Sequence, residues 1–97
     1  MRHFFRTQLT PADVLRVADT FFPTLPLERT AHTARSRTFS GILGTLQLSA
    51  KKEGGHYTFV EINSDQMGES RLDRNAKRFF VELHRTADPA HKLEAAY

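Results

Sequence analysis

The chain lacks cysteine, tryptophan and any long apolar run. None of its 97 residues is a Cys or a Trp. Without thiols it can form neither disulfides nor thiolate metal sites, and this fits a reducing compartment. No stretch approaches the roughly 20 apolar residues of a transmembrane helix, and Arg6 interrupts the apolar N-terminus before it reaches the length of a signal-peptide core. The sequence therefore predicts a cytoplasmic protein with no membrane span.

Acidic residues are slightly outnumbered, and the positive excess is local. The chain has 14 Lys and Arg against 11 Asp and Glu, a formal net charge of +3. Residues 71–85 contain five of the basic residues and only two of the acidic ones, so charges balance elsewhere. The five basic residues are Arg71, Arg74, Lys77, Arg78 and Arg85. The whole formal excess thus falls on one segment.

The remaining composition is that of an average globular domain, with 39% hydrophobic and 26% charged residues. A chain of this length is typical of one domain, so residues 1–97 are interpreted as a single domain. Eight Phe residues are available to fill its core. Residues 88–97 are interpreted as a polar tail, either helical or loose.

Two segments carry helix signals. Thr10 can cap a helix that has Pro11 in its first position, and Pro23 sets the end of that helix. Ser70 can cap a longer helix that extends to about Thr86. The apolar stripe of this second helix comprises Leu72, Ala76, Phe79, Phe80 and Leu83. Their helical spacing predicts one buried face.

Four segments are predicted to be extended, and glycines mark the turns between the later ones. They are residues 3–9, 28–40 with a break near Thr33, 45–51 and 56–63. Apolar groups on both faces of residues 56–63 indicate a central strand or a second covered surface. The order β-α-β-(β)-β-β-α predicts an α+β fold, since short links favour antiparallel pairing. The sheet would have four to five strands, with two helices packed on one face and a long C-terminal helix.

The sequence shows no metal, cofactor or catalytic motif. The five histidines are isolated, whereas zinc ligands on a helix lie three or four residues apart. By strand alternation His56 and Glu61 point to opposite faces. If Val60 and Ile62 point to the core, Glu61 is solvated; on an inward face it would be a carboxylate in an apolar setting. The pattern favours a non-enzymatic protein.

Two candidate binding sites follow from the second helix. The excess of Phe opposite this helix suggests a small apolar ligand or a protein partner held between helix and sheet, although the same residues also suit a plain core. The candidate ligand-binding residues are Leu48, Tyr57, Phe59, Phe79, Phe80 and Leu83. The candidate anion-binding residues are Arg71, Arg74, Arg78 and Arg85, within one arc opposite the apolar stripe. Val81 lies among these arginines and suggests a contact with a second subunit.

Residues 44–48, 53–62 and 71–84 together form a Gly-containing hairpin followed by a long helix. This arrangement resembles the helix-grip plan of START and Bet v 1-like ligand-binding domains. The same order of elements resembles one repeat of the TATA-box-binding-protein fold. The first resemblance implies a ligand beneath the closing helix, and the second implies that the sheet is the working surface. Neither transfers individual functional residues.

The leading hypothesis is therefore a non-catalytic binding module, monomeric or homodimeric. The alternative is binding of nucleic acid or another anionic surface through the basic face of the second helix, since phosphate contacts dominate the affinity of such proteins. A solvated helix face, which is normally charged, accounts for the same arginines.

Overall fold

The structure is a computed structural model and describes residues 1–88. Its elements are β1 (Arg2–Thr7), α1 (Pro11–Phe21), a 3-10 turn (Phe22–Thr24), β2 (Leu27–His32), β3 (Ser36–Gly41), β4 (Gly44–Glu53), β5 (Tyr57–Ser64) and α2 (Arg71–Ala87). The predicted α+β class is confirmed. Apart from Asp88, which caps α2, the segment interpreted as a tail lies outside the described residues.

The five strands form one antiparallel sheet in the order β1-β5-β4-β3-β2. Strands β2 to β5 follow one another as neighbours, and α1 carries the chain from β1 at one edge to β2 at the other. The predicted break near Thr33 is the turn between β2 and β3. Strand β5 lies between β1 and β4, which agrees with a central position.

Both helices pack on the same face of the sheet, as predicted. Thr10 caps α1, accepting a hydrogen bond from the backbone N–H of Asp13. Helix α1 contacts β3 and β4, and α2 contacts β1, β5 and α1. The sheet residues beneath the helices alternate along each strand, as the pleat requires. On β4 and β5 they are Leu46, Leu48, Ala50, Thr58, Val60 and Ile62, all fully buried.

Aromatic rings join the helices to the sheet. Phe22 directly follows α1, and its ring centroid lies 5.0 Å from those of both Phe39 on β3 and Phe79 on α2. Phe21 packs edge-on against Phe22 at 5.1 Å. Such pairs contribute about 0.5–1.5 kcal/mol beyond the burial of their area. The connection after α1 is thus a structural junction between three elements.

Helix α2 begins as the sequence predicts, with Ser70 accepting a hydrogen bond from the backbone N–H of Asp73. Its apolar stripe is buried. The placement of Val81 on the exposed polar side is wrong, because Val81 is only 7% exposed and offers no open surface to a second subunit.

Neither helix of the described chain has the length and apolar character needed to cross a membrane.

Replacing Phe22 by alanine should lower the free energy of unfolding by about 3–5 kcal/mol, because the change leaves a cavity where three elements meet. Urea unfolding followed by circular dichroism measures this loss. The matched control is Phe4→Ala, since Phe4 is 48% exposed on the opposite face, and it should cost clearly less. Equal losses for the two variants would contradict this assignment of the core.

Candidate functional site

The structure does not bring the six predicted ligand-binding residues together. Leu48, Phe79, Phe80 and Leu83 are buried between the sheet and the helices. Tyr57 and Phe59 lie on the other face of β5, so their inclusion in that site is corrected. The fully buried residues of β5 are Thr58, Val60 and Ile62, and strand alternation turns the residues between them away from the helices.

The space between α2 and the sheet is filled by side chains. Leu48, Phe79 and Leu83 have no surface that a water molecule can touch, so no cavity wide enough for a ligand adjoins them. Every buried side-chain nitrogen and oxygen within residues 1–88 has a hydrogen-bond partner. This part of the interior therefore has the properties of a packed core.

A surface cleft of about 490 Å³ lies between the helices and contains Val17 and Phe21 on one wall and Glu82 on the other. The hydroxyls that line it are already used. Thr20, Thr24 and Thr86 each donate a hydrogen bond to a backbone carbonyl oxygen of their own helical segment. The cleft thus offers a partly apolar wall without free hydroxyl donors to orient a ligand.

A buried polar cluster fixes the start of α2 to the sheet. The Nε2 of His3 on β1 lies 2.8 Å from Oδ1 of Asp73. The hydroxyl of Ser64 donates to the same oxygen at 2.7 Å, and that of Ser70 donates to Oδ2 at 2.6 Å. Neither serine is hydrogen-bonded to His3, so the cluster lacks the nucleophile–base contact that serine catalysis requires. These hydrogen bonds link β1, β5 and the start of α2.

Asp73 is almost fully buried, and its ionisation is set by two opposed effects. Burial alone would raise the pKa of this carboxyl. Hydrogen bonds from His3, Ser64 and Ser70 outweigh burial and lower the pKa to about 2. Asp73 is therefore a carboxylate at neutral pH, and the Nε2 of His3 is the donor in their hydrogen bond. The sequence indicated Asp73 only as a helix-start residue, because its partner is 70 positions away.

The uncovered face of the sheet carries exposed aromatic rings overlaid by cations. The rings of Phe4 on β1 and Phe59 on β5 lie 5.4 Å apart. The guanidinium of Arg2 is 4.3 Å from the centroid of Phe4, and that of Arg6 is 5.0 Å from Phe59. Lys51 approaches Phe59 from β4 at 5.8 Å. Together with Tyr57, which is 47% exposed, these residues are called the aromatic–cation patch.

Two carboxylates pair with two of the three cations of this patch. Glu61 accepts hydrogen bonds from Arg2 at 3.0 Å and from Asn63 at 2.9 Å. These bonds, with that from Arg2 the stronger, lower the pKa of Glu61. Arg6 donates to Glu53 at 2.7 Å. As expected with Val60 and Ile62 in the core, Glu61 lies on the open face, where its side chain is 23% exposed. An ionised, ion-paired Glu61 is unsuited to act as a general acid at neutral pH.

The part of the uncovered face formed by β3 and the adjoining half of β4 is polar and uncharged. On β3 and β4 it presents Ser36, Thr38, Ser40, Thr45, Gln47 and Ser49, which pair across the two strands. One of these pairs, Ser40 and Thr45, shares a hydrogen bond of 2.9 Å between its hydroxyls. Aromatic and charged groups are thus concentrated on β1, β5 and the adjoining end of β4.

The four predicted anion-binding arginines are all exposed on the outer face of α2. Arg85 forms an ion pair with Glu82 at 3.7 Å. Arg74 donates to the backbone carbonyl oxygen of Glu69, and Arg78 donates to the side-chain oxygen of Asn75, all at 3.3 Å. Their role in anion binding stays a prediction.

Acidification should remove the contribution of Asp73 to stability. Its folded-state pKa of about 2 is below the ordinary value of 3.8, so the stabilisation is complete above about pH 4 and is lost as the pH falls toward about 2. The expected loss is about 2 kcal/mol, measured by urea unfolding across this range. Asp73→Asn should be less stable at neutral pH and show a flatter acid dependence. An unchanged slope in that variant would contradict the assignment.

Comparison with known families and curated proteins does not assign the chain to a family. No protein-family model matches the sequence, and no curated protein is significantly similar to it. Its function is therefore inferred from the geometry of its surfaces.

Proposed function

We propose that this chain is a non-catalytic module that binds single-stranded nucleic acid on the uncovered face of its sheet. The observation that carries this proposal is the aromatic–cation patch, where Arg2, Arg6 and Lys51 surround the rings of Phe4 and Phe59. Proteins that bind single strands combine aromatic rings, on which bases stack, with cations that contact the backbone. The patch supplies both components on one open surface.

Stacking would supply most of the affinity. Phe4 and Tyr57 are each about half exposed, so bases can reach their rings without displacing any core residue. Base–aromatic stacking is worth about 1–3 kcal/mol per base and is tolerant of sequence. The patch offers no fixed pattern of donors and acceptors that would select one base. The proposed binding is accordingly non-specific.

To contact phosphates, the arginines of the patch would exchange their carboxylate partners for phosphate oxygens. Arg2 and Arg6 are bound to Glu61 and Glu53, and both arginines are more than half exposed. Exposed ion pairs contribute only about 0–1 kcal/mol, so replacing a carboxylate by a phosphate costs little. Because two of the three cations of the patch are paired with carboxylates, we expect a weak dependence of this binding on salt.

Two further observations support the sheet rather than the interior as the binding surface. The core residues Leu48, Phe79 and Leu83 are fully buried, which leaves no space beside them for an apolar ligand. The order of elements also resembles one repeat of the TATA-box-binding-protein fold, in which the sheet is the working surface. A protein partner is the other occupant to be distinguished by experiment, since Phe, Tyr and Arg are enriched in protein interfaces.

Removing the rings should weaken binding of a fluorescein-labelled oligo(dT), measured by fluorescence anisotropy. Phe4→Ala and Phe59→Ala should each raise Kd by about tenfold, because each removes one stacking surface. The matched control is Gln47→Ala on the polar half of the same face, which should bind as the unmodified protein does. Full affinity in the double Phe variant would contradict the proposal. The surface would instead bind a second copy of the chain if three results coincide. The unmodified protein would have a doubled mass in solution and would not bind the oligonucleotide, and only the Phe variants would be monomeric.

Neutralising the competing carboxylate should strengthen binding. Glu61→Gln keeps a hydrogen-bond acceptor beside Arg2 but removes the negative charge that a phosphate must displace. We expect a fall in Kd of about twofold to tenfold together with a steeper dependence on salt. The comparison is with Glu28→Gln, a carboxylate on edge strand β2, which should change Kd less. Weaker binding in Glu61→Gln would indicate a partner that uses this carboxylate.

A further inference from the structure

Three arginines on α2 have no carboxylate partner within residues 1–88. Six of the ten arginines of the chain form ion pairs: Arg2, Arg6, Arg16, Arg29, Arg37 and Arg85. The four without an ion pair to any residue in the described part of the chain are Arg35, Arg71, Arg74 and Arg78. Three of these four lie together on α2, so free positive charge is concentrated there while most of the other arginines are neutralised.

These three residues form one stripe. Their spacing of three and four positions places Arg71, Arg74 and Arg78 on one side of the helix, over about 10 Å of its axis. All three are exposed, and the stripe lies opposite Leu72, Phe79 and Leu83, although buried Val81 lies beside Arg74. The partners of Arg74 and Arg78 are uncharged oxygens. These contacts hold the guanidinium groups without neutralising them.

We propose that this stripe is a second phosphate-binding surface, so that one molecule holds two nucleic-acid segments on opposite sides. The sheet half of this inference rests on the proposed function, whereas the α2 half rests on the stripe alone. Guanidinium groups donate paired hydrogen bonds to phosphate oxygens, and such charge-assisted bonds are strong. The stripe can follow a sugar–phosphate backbone, but it contains no aromatic ring that would read or stack a base.

The burial of α2 favours a nucleic-acid backbone over an anionic membrane as the occupant. Helices that bind membranes insert an apolar face between the lipids. The apolar stripe of α2 is instead buried against the sheet, including Leu72, Phe79 and Leu83. Only the charged side of the helix is available to a partner, and that side suits phosphates presented along a chain.

The two surfaces point in opposite directions across a thin molecule. The helices cover one face of the sheet and the aromatic–cation patch lies on the other, while the shortest extent of the molecule is 21 Å. A single short strand cannot lie on both surfaces without passing around an edge of the sheet. Simultaneous occupancy therefore brings two strands within roughly the thickness of the protein.

The test uses two non-complementary oligo(dT) strands, one carrying a donor fluorophore and the other an acceptor. The unmodified protein should produce energy transfer between them at a mass, measured by light scattering, that corresponds to one protein chain and two strands. The variant with Arg71, Arg74 and Arg78 all changed to Gln should lose this energy transfer. Its Kd for the strand on the sheet should change by less than about threefold. The salt slope of its total oligo(dT) binding, both surfaces included, should fall by about 2.

The matched control changes Arg16, Arg35 and Lys52 to Gln, which removes the same net charge from other exposed positions. This control should keep the energy transfer. Transfer that persists in the α2 variant would overturn the inference, as would binding of that stripe to phosphatidylserine vesicles but not to oligonucleotides. If the double Phe4/Phe59 variant binds one strand normally and only the α2 variant fails to bind, the proposed function fails while the α2 surface stands.

Discussion

The contact of Phe22 with Phe39 and Phe79 is the interaction on which the rest of the structure depends. It joins the end of α1, strand β3 and helix α2 within 5.0 Å between ring centroids. It holds both helices against one face of the sheet, and residues 1–88 contain no further helix to cover the other face. A filled core on one side and an open sheet on the other are thus two results of the same packing. This is why we place the proposed binding surface on the sheet.

Strand β1 shows how an edge strand is held when only one of its faces is covered. Inward, His3 joins the buried carboxylate cluster, and Phe5 stacks on Phe80 at 5.0 Å. Outward, Arg2 and Phe4 form cross-strand contacts with β5. Such pairs are worth about 0.2–1 kcal/mol each. The patch residues therefore help to hold β1 in the sheet, yet they are weakly enough bound to exchange partners with a ligand.

Local signals predicted the elements, because their causes are local. Thr10 and Ser70 cap the two helices as the sequence indicated, and each accepts a hydrogen bond from a residue three positions later. The assignment of Tyr57 and Phe59 to the space beneath the helices failed because β5 carries large apolar groups on both of its faces. The covered face is the one that packs against elements distant in sequence. Val60 and Ile62 are buried there, and the hydroxyl of buried Thr58 donates to the carbonyl oxygen of Leu9 at 2.6 Å. Alternation within one strand contains no information about that contact.

The buried carboxylate and the burial of Val81 were missed for related reasons. A helical wheel places Val81 by its own helix alone, whereas its exposure depends on what packs around that helix. Asp73 carries the signal of a helix start, but nothing near it in sequence indicates that His3 meets it across 70 positions. Candidate surfaces were predicted better where they depend on one element. The exposed arginines of α2 were recognised from their spacing, whereas the aromatic–cation patch needed the pairing of β1 with β5 and β4.

The distribution of ion pairs gives the two proposed surfaces different physical characters. On the sheet, Arg2 and Arg6 are neutralised by Glu61 and Glu53, so attraction there depends on ring stacking. On α2 the arginine stripe is not neutralised and has no exposed ring, so attraction there depends on charge. Stacking requires unpaired bases, whereas a phosphate backbone is present in single and double strands alike. The position of the net charge of +3 is therefore more informative than its value. The excess lies on α2, the surface that would recognise only the charge of a nucleic acid.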